Sequence, residues 1–410
     1  MLELDVERIA HGGVAVARHD GRVVFVADAI PGERVRVQVT DAGRDRFWRA
    51  ETIEVLTASP DRREHVWPEA SVDRAPERRA GGAEFGHIGM ARQRALKGEV
   101  LADALARMGG VDRRVEVEPV EDALAPGVDA DAGTGWRTRV RLHVAPDGTV
   151  GPYAARSHRV VPVGSLPLAS AELAALAPLD RALAGADAVD LVAPSDGDPA
   201  LVVRTPEDRD EDSPTITERV GDRSFTLQRD GFWQVHRGAA ATLTAAVRAA
   251  VDADAFDPAA DNQDLYGGVG LLAAALGDRF GVATRITSVE ADPRATEHAG
   301  ANLAEWVGAR AVTDRVDRHL ERLVDRGERA LRGATVVLDP PRSGAGRAVV
   351  ERLAALGPEQ VVYVACDPVA LARDVATFRA HGYGLETVRA FDLFPNTHHV
   401  EAVARLRAIV

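Results

Sequence analysis

Residues 263–270, with the sequence QDLYGGVG, begin the unit that decides the fold. A short apolar strand ends there, and three glycines follow before a helical pattern begins. Glycine lets a backbone turn tightly and approach a ligand closely at the start of a helix. The next strand ends at Glu290, twenty residues past Gly270. A carboxylate at that place can accept hydrogen bonds from both ribose hydroxyls of a nucleoside.

Apolar strands alternate with helices from about residue 236 onward. The strands ITSVEAD, AVTDRV, TVVLDPP and QVVYVAC follow QDLYG, and helices are predicted over 268–276, 293–306, 317–330, 346–356 and 368–380. This alternation predicts a parallel, doubly wound sheet. LETVRAFDLF and EAVARLRAI close the chain, and the short connection PNTHH suits an antiparallel pair. This is the usual build of S-adenosylmethionine (SAM) methyltransferases, so the α/β fold class predicted is a Rossmann-like class I methyltransferase domain.

Two more domains are predicted before this one. Residues 1–58 contain VAVAR, RVVFVAD, RVRVQVT and WRAETIEVL between turn signals, which indicates a five-stranded, OB-like barrel of the kind that binds oligonucleotides. A barrel that serves only as a spacer is the alternative. Residues 59–235 are predicted as an irregular linker with a helix at 91–108, followed by a small β-rich central domain. Residues 236–410 are the predicted catalytic domain.

Composition excludes several classes of protein. The 410 residues carry a net charge of −13, and the only cysteine is Cys366. One cysteine excludes an internal disulfide framework, a Cys-based zinc finger and a Cys-ligated iron–sulfur cluster. No apolar run approaches the length of a membrane span, and the charged N terminus is not a signal peptide. We expect a cytoplasmic monomer.

Local basic segments matter more for nucleic-acid binding than the acidic net charge. Residues 136–160 hold five arginines against Asp147 alone, and residues 44–49, RDRFWR, interleave three arginines with Phe47 and Trp48. These segments predict contacts with RNA phosphates, and the two aromatic residues are candidates for stacking on bases. A solvated strand face, or packing of the aromatic rings in a core, is the alternative.

Three further side chains fall at strand ends, where ligands bind in open α/β sheets. Asp339 follows the fourth strand in LDPPRSG and could bond the imide edge of a heterocycle, or the loop could be a rigid turn with a helix cap. Cys366 follows the fifth strand just before a helix, a position that lowers a thiol pKa and favours a nucleophile over a small core residue. Glu401 opens the last strand as a candidate base, or as a solvated strand residue. The adjacent His398 and His399 lack supporting ligands, so no metal is expected.

The motifs DLYGGVG, LDPPRSG, ACDPVALARD and FPNTHHVE, in this order, resemble those of the RNA uracil-5 methyltransferase family. The segment GGVAVARHDGRVVFVADAIPGERVRV is similar to the TRAM domain of many members, and the resemblance covers most of the chain. By this resemblance Cys366 is the nucleophile and Glu401 the general base. The implied cofactor is SAM, and the residues implied to line the SAM and uracil sites are Gln234 of GFWQVH, Tyr266, Gly268, Gly270, Glu290 and Asp339. The implied partner is ribosomal or transfer RNA.

The chain departs from the family at several positions. Residues 80–83, together with Glu69 and Leu166, stand where many members place cluster cysteines, so we expect packing there and no iron–sulfur cluster. Gly267, Ala365, Asp367 and Asn396 also differ from the residues usual in the motifs. Two alternative functions stay open: a SAM-dependent N-methyltransferase of RNA, indicated by the DPPR loop, and a catalytically idle RNA-binding protein, indicated by the altered motifs.

Overall fold

The computed structural model describes residues 1–43, 46–120, 129–207, 213–325, 327 and 330–409. The start of the RDRFWR segment and the end of the helix predicted over 317–330 lie outside the described residues. The predicted α/β fold class is confirmed: a large, mostly parallel sheet flanked by helices is preceded by a five-stranded barrel and small central sheets. None of the described helices combines the length and the apolar character that crossing a membrane requires.

The N-terminal strands close into a barrel in the order β1-β2-β3-β5-β4. They are β1 (Leu2–Ala10), β2 (Val14–His19), β3 (Arg22–Ala27), β4 (Arg34–Asp41) and β5 (Phe47–Thr57). Apolar side chains at alternate positions fill the interior, among them Val24, Val26, Val35 and Val37. Strand β1 is not among the segments named from the sequence, although its buried Leu4 and Val6 alternate with exposed charged residues, as is typical of a strand with one buried face.

The middle of the chain is less regular. Two short 3-10 turns, Pro68–Ala70 and Pro76–Arg78, precede helix α1 (Met90–Ala104), which continues as a π-helical turn, Leu105–Gly109. A two-stranded hairpin and a four-stranded sheet of order β10-β9-β7-β8 follow. The elements are β6 (Val117–Glu118), β7 (Arg139–Val144), β8 (Val150–Gly151), α2 (Ala171–Leu176), β9 (Ala188–Val192), β10 (Ala200–Arg204), β11 (Thr215–Val220) and β12 (Arg223–Gln228).

The C-terminal part forms an eight-stranded sheet of order β15-β14-β13-β16-β17-β19-β18-β6. Its elements are α3 (Ala239–Ala250), β13 (Asn262–Leu265), α4 (Leu271–Phe280), β14 (Ile286–Glu290), α5 (Pro293–Asn302), β15 (Ala309–Thr313), α6 (Val316–Asp325), β16 (Thr335–Leu338), α7 (Arg347–Leu356), β17 (Gln360–Ala365), α8 (Pro368–Ala380), β18 (Tyr383–Phe391) and β19 (Glu401–Ala408). Strands β13 to β17 are parallel, and β19 is antiparallel to both of its neighbours. Several details differ from expectation. Helix α3 was not predicted, α5 ends four residues before its predicted end, and β6 joins the sheet edge beside β18. Helix α4 begins three residues after the predicted start because the glycine turn occupies them.

Packing occupies the region where the family resemblance places cluster ligands. Ala80, Ala83 and Leu166 are buried in one apolar cluster with Trp67 and Trp136. The Glu69 carboxylate accepts a hydrogen bond from the Gly164 amide at 2.7 Å. Aliphatic and aromatic contacts therefore hold this part of the chain together.

A buried ion pair fixes α1 to the segment that follows β18. The only lysine of the sequence, Lys97, donates to the Asp392 carboxylate at 2.5 Å and to the Phe394 carbonyl at 3.0 Å. Both side chains are almost completely buried. Burial removes two charges from water, so each charge depends on the other for compensation.

We predict that Lys97→Ala lowers the free energy of unfolding by about 3–5 kcal/mol, because it leaves the buried Asp392 carboxylate without a counter-charge. Chemical denaturation monitored by circular dichroism measures this loss. The matched control is the double variant Lys97→Met with Asp392→Leu, which removes both charges and should lose much less. Equal losses in the two variants would show that side-chain packing, and not charge pairing, is responsible.

Candidate active site

The carboxyl ends of four parallel strands and the amino end of β19 meet at one edge of the large sheet, beside a cavity of about 740 Å³. Seven of the eight predicted site residues line it: Gln234, Tyr266, Gly268, Glu290, Asp339, Cys366 and Glu401. Gly270 does not line it. Its φ of +90° starts helix α4, and a Cβ there would lie 3.0 Å from the Leu303 side chain, so its place in the turn is structural.

Strand pairing brings the predicted nucleophile and base together. Strands β17 and β19 are antiparallel, and their pairing runs through Ala365 opposite Ala402. Cys366 directly follows β17 and Glu401 opens β19, so the two residues face each other at the next position of this register. Two side chains that are 35 positions apart in the chain thereby enter the same cavity.

The cavity disfavours negative charge on these groups. Burial, reinforced by the Asp339 charge, raises the pKa of Glu401 well above its ordinary value, although Arg342 opposes this. Burial and the nearby Asp264 raise the pKa of Asp339 to about 7. Burial, followed by the charges of Glu401 and Asp339, raises the pKa of the Cys366 thiol to about 12.

The expectation of a lowered thiol pKa at Cys366 is therefore wrong for the protein without ligands. The thiol does lie near the amino end of α8, which begins at Pro368. A helix terminus stabilises an anion by a modest amount. Burial beside two carboxyl groups has the larger effect here, so positive charge has to be present in the cavity before the thiolate becomes abundant.

Glu290 is held in place by backbone amides. One carboxylate oxygen accepts from the Gly268 amide at 3.1 Å, and the other accepts from Ala291 at 2.6 Å and from Asp292 at 2.9 Å. These bonds tie the end of β14 to the glycine turn after β13. Tyr266 enters the same turn with a φ of +62°. The carboxylate is thus oriented before any ligand arrives.

The glycine turn rests on a buried carboxyl group that the sequence analysis did not single out. Asp264 accepts from the Ser288 hydroxyl at 3.1 Å and from the Ala273 amide at 3.2 Å, and burial raises its pKa to about 7. A Cβ on Gly267 would lie 2.1 Å from the Ser288 Oγ. Glycine at this position, a departure from the family motif, is therefore required by the packing of Ser288. The signal for Asp264 was an acid within an otherwise buried strand.

The loop before β19 is fixed by a network around Asn396, whose φ is +64°. Its side-chain amide donates to the carbonyls of Ala132 and Gly133 at 2.9 and 2.7 Å. Its side-chain oxygen accepts from Arg63 at 2.6 Å and from Gln93 at 2.9 Å. Asparagine tolerates this left-handed backbone better than most residues. The network links the central domain and α1 to the segment that carries Glu401.

The cavity residues not assigned to the site from the sequence include Arg137, Phe232, Arg342 and His399. Arg342 directly follows the DPP motif, and His399 belongs to the adjacent histidine pair, so both had a motif signal. Arg137 was noted only as part of a basic segment, and Phe232 lies two residues before Gln234. Across the described ranges, no three His, Cys, Asp or Glu side chains gather as metal ligands would.

We predict that iodoacetamide alkylates Cys366 slowly at pH 8 and about tenfold faster for each pH unit up to pH 10, because its pKa of about 12 lies above that range. Mass spectrometry of the intact chain measures the rate, with circular dichroism to show that the fold persists. Cys366→Ser is the control and should take up no label, since the sequence has no other cysteine. A rate that levels off near pH 8.5 would contradict the raised pKa.

Comparisons with known proteins agree with this geometry. The family model described as tRNA (Uracil-5-)-methyltransferase matches residues 219–408, and the TRAM domain model matches residues 1–52. An RNA methyltransferase of Streptomyces avermitilis is 37% identical to this chain, and the alignment covers 98% of this chain and 97% of the Streptomyces protein. The 23S rRNA (uracil(1939)-C(5))-methyltransferase RlmD of Shewanella sediminis is 28% identical, over 98% of this chain and 94% of its own.

Among solved structures, the tRNA (uracil-54, C5)-methyltransferase of Pyrococcus abyssi shares the fold, with a TM-score of 0.68 and 20% identity. The similarity covers 98% of this chain and 100% of that one. The alignment with the Streptomyces protein spans nearly the full length of both chains. The family model, over residues 219–408, includes Gln234 and all the strands from β13 to β19. The chain therefore belongs to the tRNA (uracil-5-)-methyltransferase family, whose members are SAM-dependent RNA uracil-C5 methyltransferases.

Proposed function

We propose that this protein methylates carbon 5 of a uridine in a single-stranded loop of ribosomal or transfer RNA, through a temporary covalent bond to Cys366 and with Glu401 as the general base. The observation that supports this most directly is the β17–β19 register, which sets the thiol beside the carboxyl group in one cavity. The resemblance between the motifs and those of the family supports the same roles.

The reaction needs both groups because carbon 5 of uracil is a poor nucleophile. The Cys366 thiol loses its proton to solvent, and its sulfur then bonds to carbon 6. The electron pair of the ring double bond moves to form an enolate, which makes carbon 5 nucleophilic and able to accept the methyl group. Glu401 as a carboxylate then takes the proton from carbon 5, the double bond re-forms, and the bond between sulfur and carbon 6 breaks.

The residues around the glycine turn fit SAM as the cofactor. The Glu290 carboxylate, oriented by three backbone amides at the cavity, suits the hydroxyls of a ribose. Gly268 has a φ of +53° and no atom within 4 Å of where a Cβ would stand, so its backbone can approach a ligand. Gln234 and Tyr266 complete this side of the cavity. SAM held here supplies an electrophilic methyl group together with a positive charge.

Asp339 is suited to hold the uracil ring. Because its pKa is raised to about 7, both protonation states are populated near neutral pH. The ionised form accepts a hydrogen bond from the imide N–H, and the protonated form donates one to a ring carbonyl. Asp339 lies in the cavity with Cys366 and Glu401, so it can orient the ring whose carbon 6 faces the thiol.

The RNA path we propose uses only part of the two basic segments predicted from sequence, namely Arg49 and Arg159. Three arginines of segment 136–160 are already paired: Arg139 with Glu218 at 3.8 Å, Arg141 with Asp190 at 2.6 Å, and Arg156 with Glu51 at 2.5 Å. These pairs leave the segment with much less uncompensated charge than its composition suggests.

The aromatic residues of the RDRFWR segment also have partners within the barrel. Trp48 packs against the barrel core, with the Arg22 guanidinium 4.5 Å from its ring centre. Phe47 contacts Phe25 edge to face at 5.4 Å. These contacts favour the packing alternative for Trp48, so we do not assign it a role in stacking on bases.

A groove of about 750 Å³ between the barrel and the central domain offers a better path for RNA. Phe25, Arg49 and Arg159 line it, and neither arginine forms an ion pair with any residue that the structure describes. The groove also reaches His11, which lies next to Asp367 and thus close to the nucleophile. A strand that follows this groove brings its phosphates to the two arginines and an unstacked base to the active site.

The test of the mechanism is methyl transfer from labelled SAM to RNA extracted from a strain that lacks this gene. Cys366→Ala should abolish uridine methylation. Glu401→Gln should reduce turnover by about 10²–10⁴-fold and accumulate a protein–RNA adduct on denaturing gels, since the carbon 5 proton stays in place. RNA containing 5-fluorouridine should trap the same adduct in the wild type. Mapping of the methylated position identifies the RNA as ribosomal or transfer.

Glu386→Gln is the matched control, because Glu386 is an exposed glutamate on β18 of the same sheet, and it should retain activity. Methylation by Cys366→Ala at the wild-type rate would contradict the covalent mechanism and favour an N-methyltransferase. Absence of S-adenosylhomocysteine binding in calorimetry would favour an idle RNA-binding protein.

We predict that changing both Arg49 and Arg159 to Gln weakens RNA binding roughly tenfold. The slope of log affinity against log salt concentration should fall by the amount expected for the loss of about one to two phosphate contacts. Fluorescence anisotropy with a single-stranded RNA at several salt concentrations measures both quantities. Arg347→Gln is the control, because Arg347 is exposed at the start of α7 and lies outside the groove. Unchanged affinity and salt slope in the double variant would exclude this groove as the RNA path.

A further inference from the structure

The turn between β1 and β2 of the barrel lies directly on the active-site loops. His11 Nε2 and Asp367 Oδ2 are 2.8 Å apart, although 356 positions separate these residues in the chain. At Gly13 the turn is so close to the loop before β19 that a Cβ would lie 2.7 Å from the Cβ of His398. One small cavity beneath the turn is lined by His11, Asp367 and Cys366 together. The barrel is thus in contact with the segments that carry both the nucleophile and the base.

Asp367 connects this turn to the nucleophile in two ways. One carboxylate oxygen accepts from the Ala370 amide at 2.8 Å and caps helix α8, while the other contacts His11. Asp367 also directly follows Cys366, so its negative charge lies beside the thiol. A negative charge beside a thiol opposes formation of the thiolate. The Asp367 charge is one of the groups that raise the pKa of Cys366.

We propose that His11 is a positioning residue for the nucleophile: its imidazolium holds the Asp367 carboxylate and neutralises its charge, and this favours the thiolate of Cys366. The chemical consequence rests on the proposed function, in which Cys366 is the nucleophile. In this arrangement the barrel contributes a side chain to the active site, in addition to any contact it makes with RNA.

The charges on the two partners are consistent with this role. The hydrogen bond to Asp367 raises the pKa of His11 above its ordinary value, although partial burial opposes the shift. Burial opposes ionisation of Asp367 as well, but the hydrogen bonds from His11 and from the Ala370 amide lower its pKa. Both shifts favour the charged forms, so the pair carries opposite charges below the pKa of His11. His11 is 45% exposed, so salt in the solvent weakens the pair.

Other charged groups also face the thiol. Glu401 and Asp339 oppose the thiolate, and Arg342 supports it. Around the small cavity, Lys97 is paired with Asp392, while His399 has a pKa lowered to about 3 by burial and by His398. His399 is therefore neutral throughout the range where His11 titrates.

The sign of the pH effect follows from these charges. Below the pKa of His11 its imidazolium supports the thiolate, and as pH rises through that pKa the support is lost. In the wild type, the alkylation rate should therefore rise by less than tenfold per pH unit in the window just above pH 6.5, because His11 loses its charge as the thiol gains its own. A variant without an ionisable group at this position should follow the full tenfold slope.

The experiment is alkylation of the full-length chain by iodoacetamide between pH 6 and 9, without RNA or SAM. Cys366 is the only thiol, so the rate reports on this site alone. At pH 6.5, His11→Gln should react about threefold more slowly than the wild type, which corresponds to a rise of about half a unit in the thiol pKa. It should also follow the full slope, and the two proteins should converge at high pH.

A double-mutant cycle separates charge from packing. Asp367→Asn keeps a side chain that can cap α8 and removes the charge, so it should react faster than the wild type. In that background His11→Gln should slow the reaction by much less than threefold, because the carboxylate charge that His11 neutralises is absent. Equal rates for His11→Gln and wild type, or the same threefold loss in the Asp367→Asn background, would overturn the proposal. Thermal melting of each variant confirms that it is folded.

Methyl transfer gives an independent readout. His11→Gln should lower kcat more than it changes KM for RNA, since the affected step is thiolate formation and not binding. Alkylation needs neither substrate nor cofactor, so it tests the contact with His11 separately from the proposed function. If the alkylation profile is as expected but Cys366→Ala methylates RNA at the normal rate, the role of His11 stands and only the covalent mechanism is contradicted.

Discussion

The antiparallel pairing of β17 with β19 is the constraint on which the site depends. A purely parallel sheet would place the start of β19 at the opposite edge from the end of β17. Reversal of this one strand puts Cys366 and Glu401 at the same edge, next to the ends of β13, β14 and β16. The methyl donor side and the pyrimidine side of the cavity can therefore share one wall, and the remaining contacts serve to hold this edge in place.

The side chains at that sheet edge include ionisable groups that are buried away from water. Glu401, Asp339 and Cys366 all have raised pKa values because burial disfavours their charged forms. In the protein without ligands, burial therefore disfavours the charged forms of the proposed nucleophile and base, and positive charge in the cavity would favour them. The buried pair of Lys97 with Asp392 helps to fix α1 to the segment that follows β18, close to this edge.

The three parts of the chain are joined at the active site more closely than their sequence order suggests. Asn396 binds carbonyls of the central domain, and His11 of the barrel contacts Asp367 beside the nucleophile. The groove between barrel and central domain ends near the same place. An RNA that occupies the groove therefore touches elements that also position the thiol, which gives a physical route from substrate binding to the reactivity of Cys366.

The sequence by itself determined the alternation of strands and helices, the glycine turn and the ordered motifs, because these depend on local periodicity and on residue type. It also singled out Cys366 and Glu401 as candidates, because they are chemically distinctive and stand at strand ends, and both line the cavity. It could not determine the thiol pKa, the pairing of Arg139 and Arg141 with acids or the contact of His11 with Asp367. Those depend on burial and on partners far away in the chain, and only the folded arrangement decides which side chains share a space from which water is excluded.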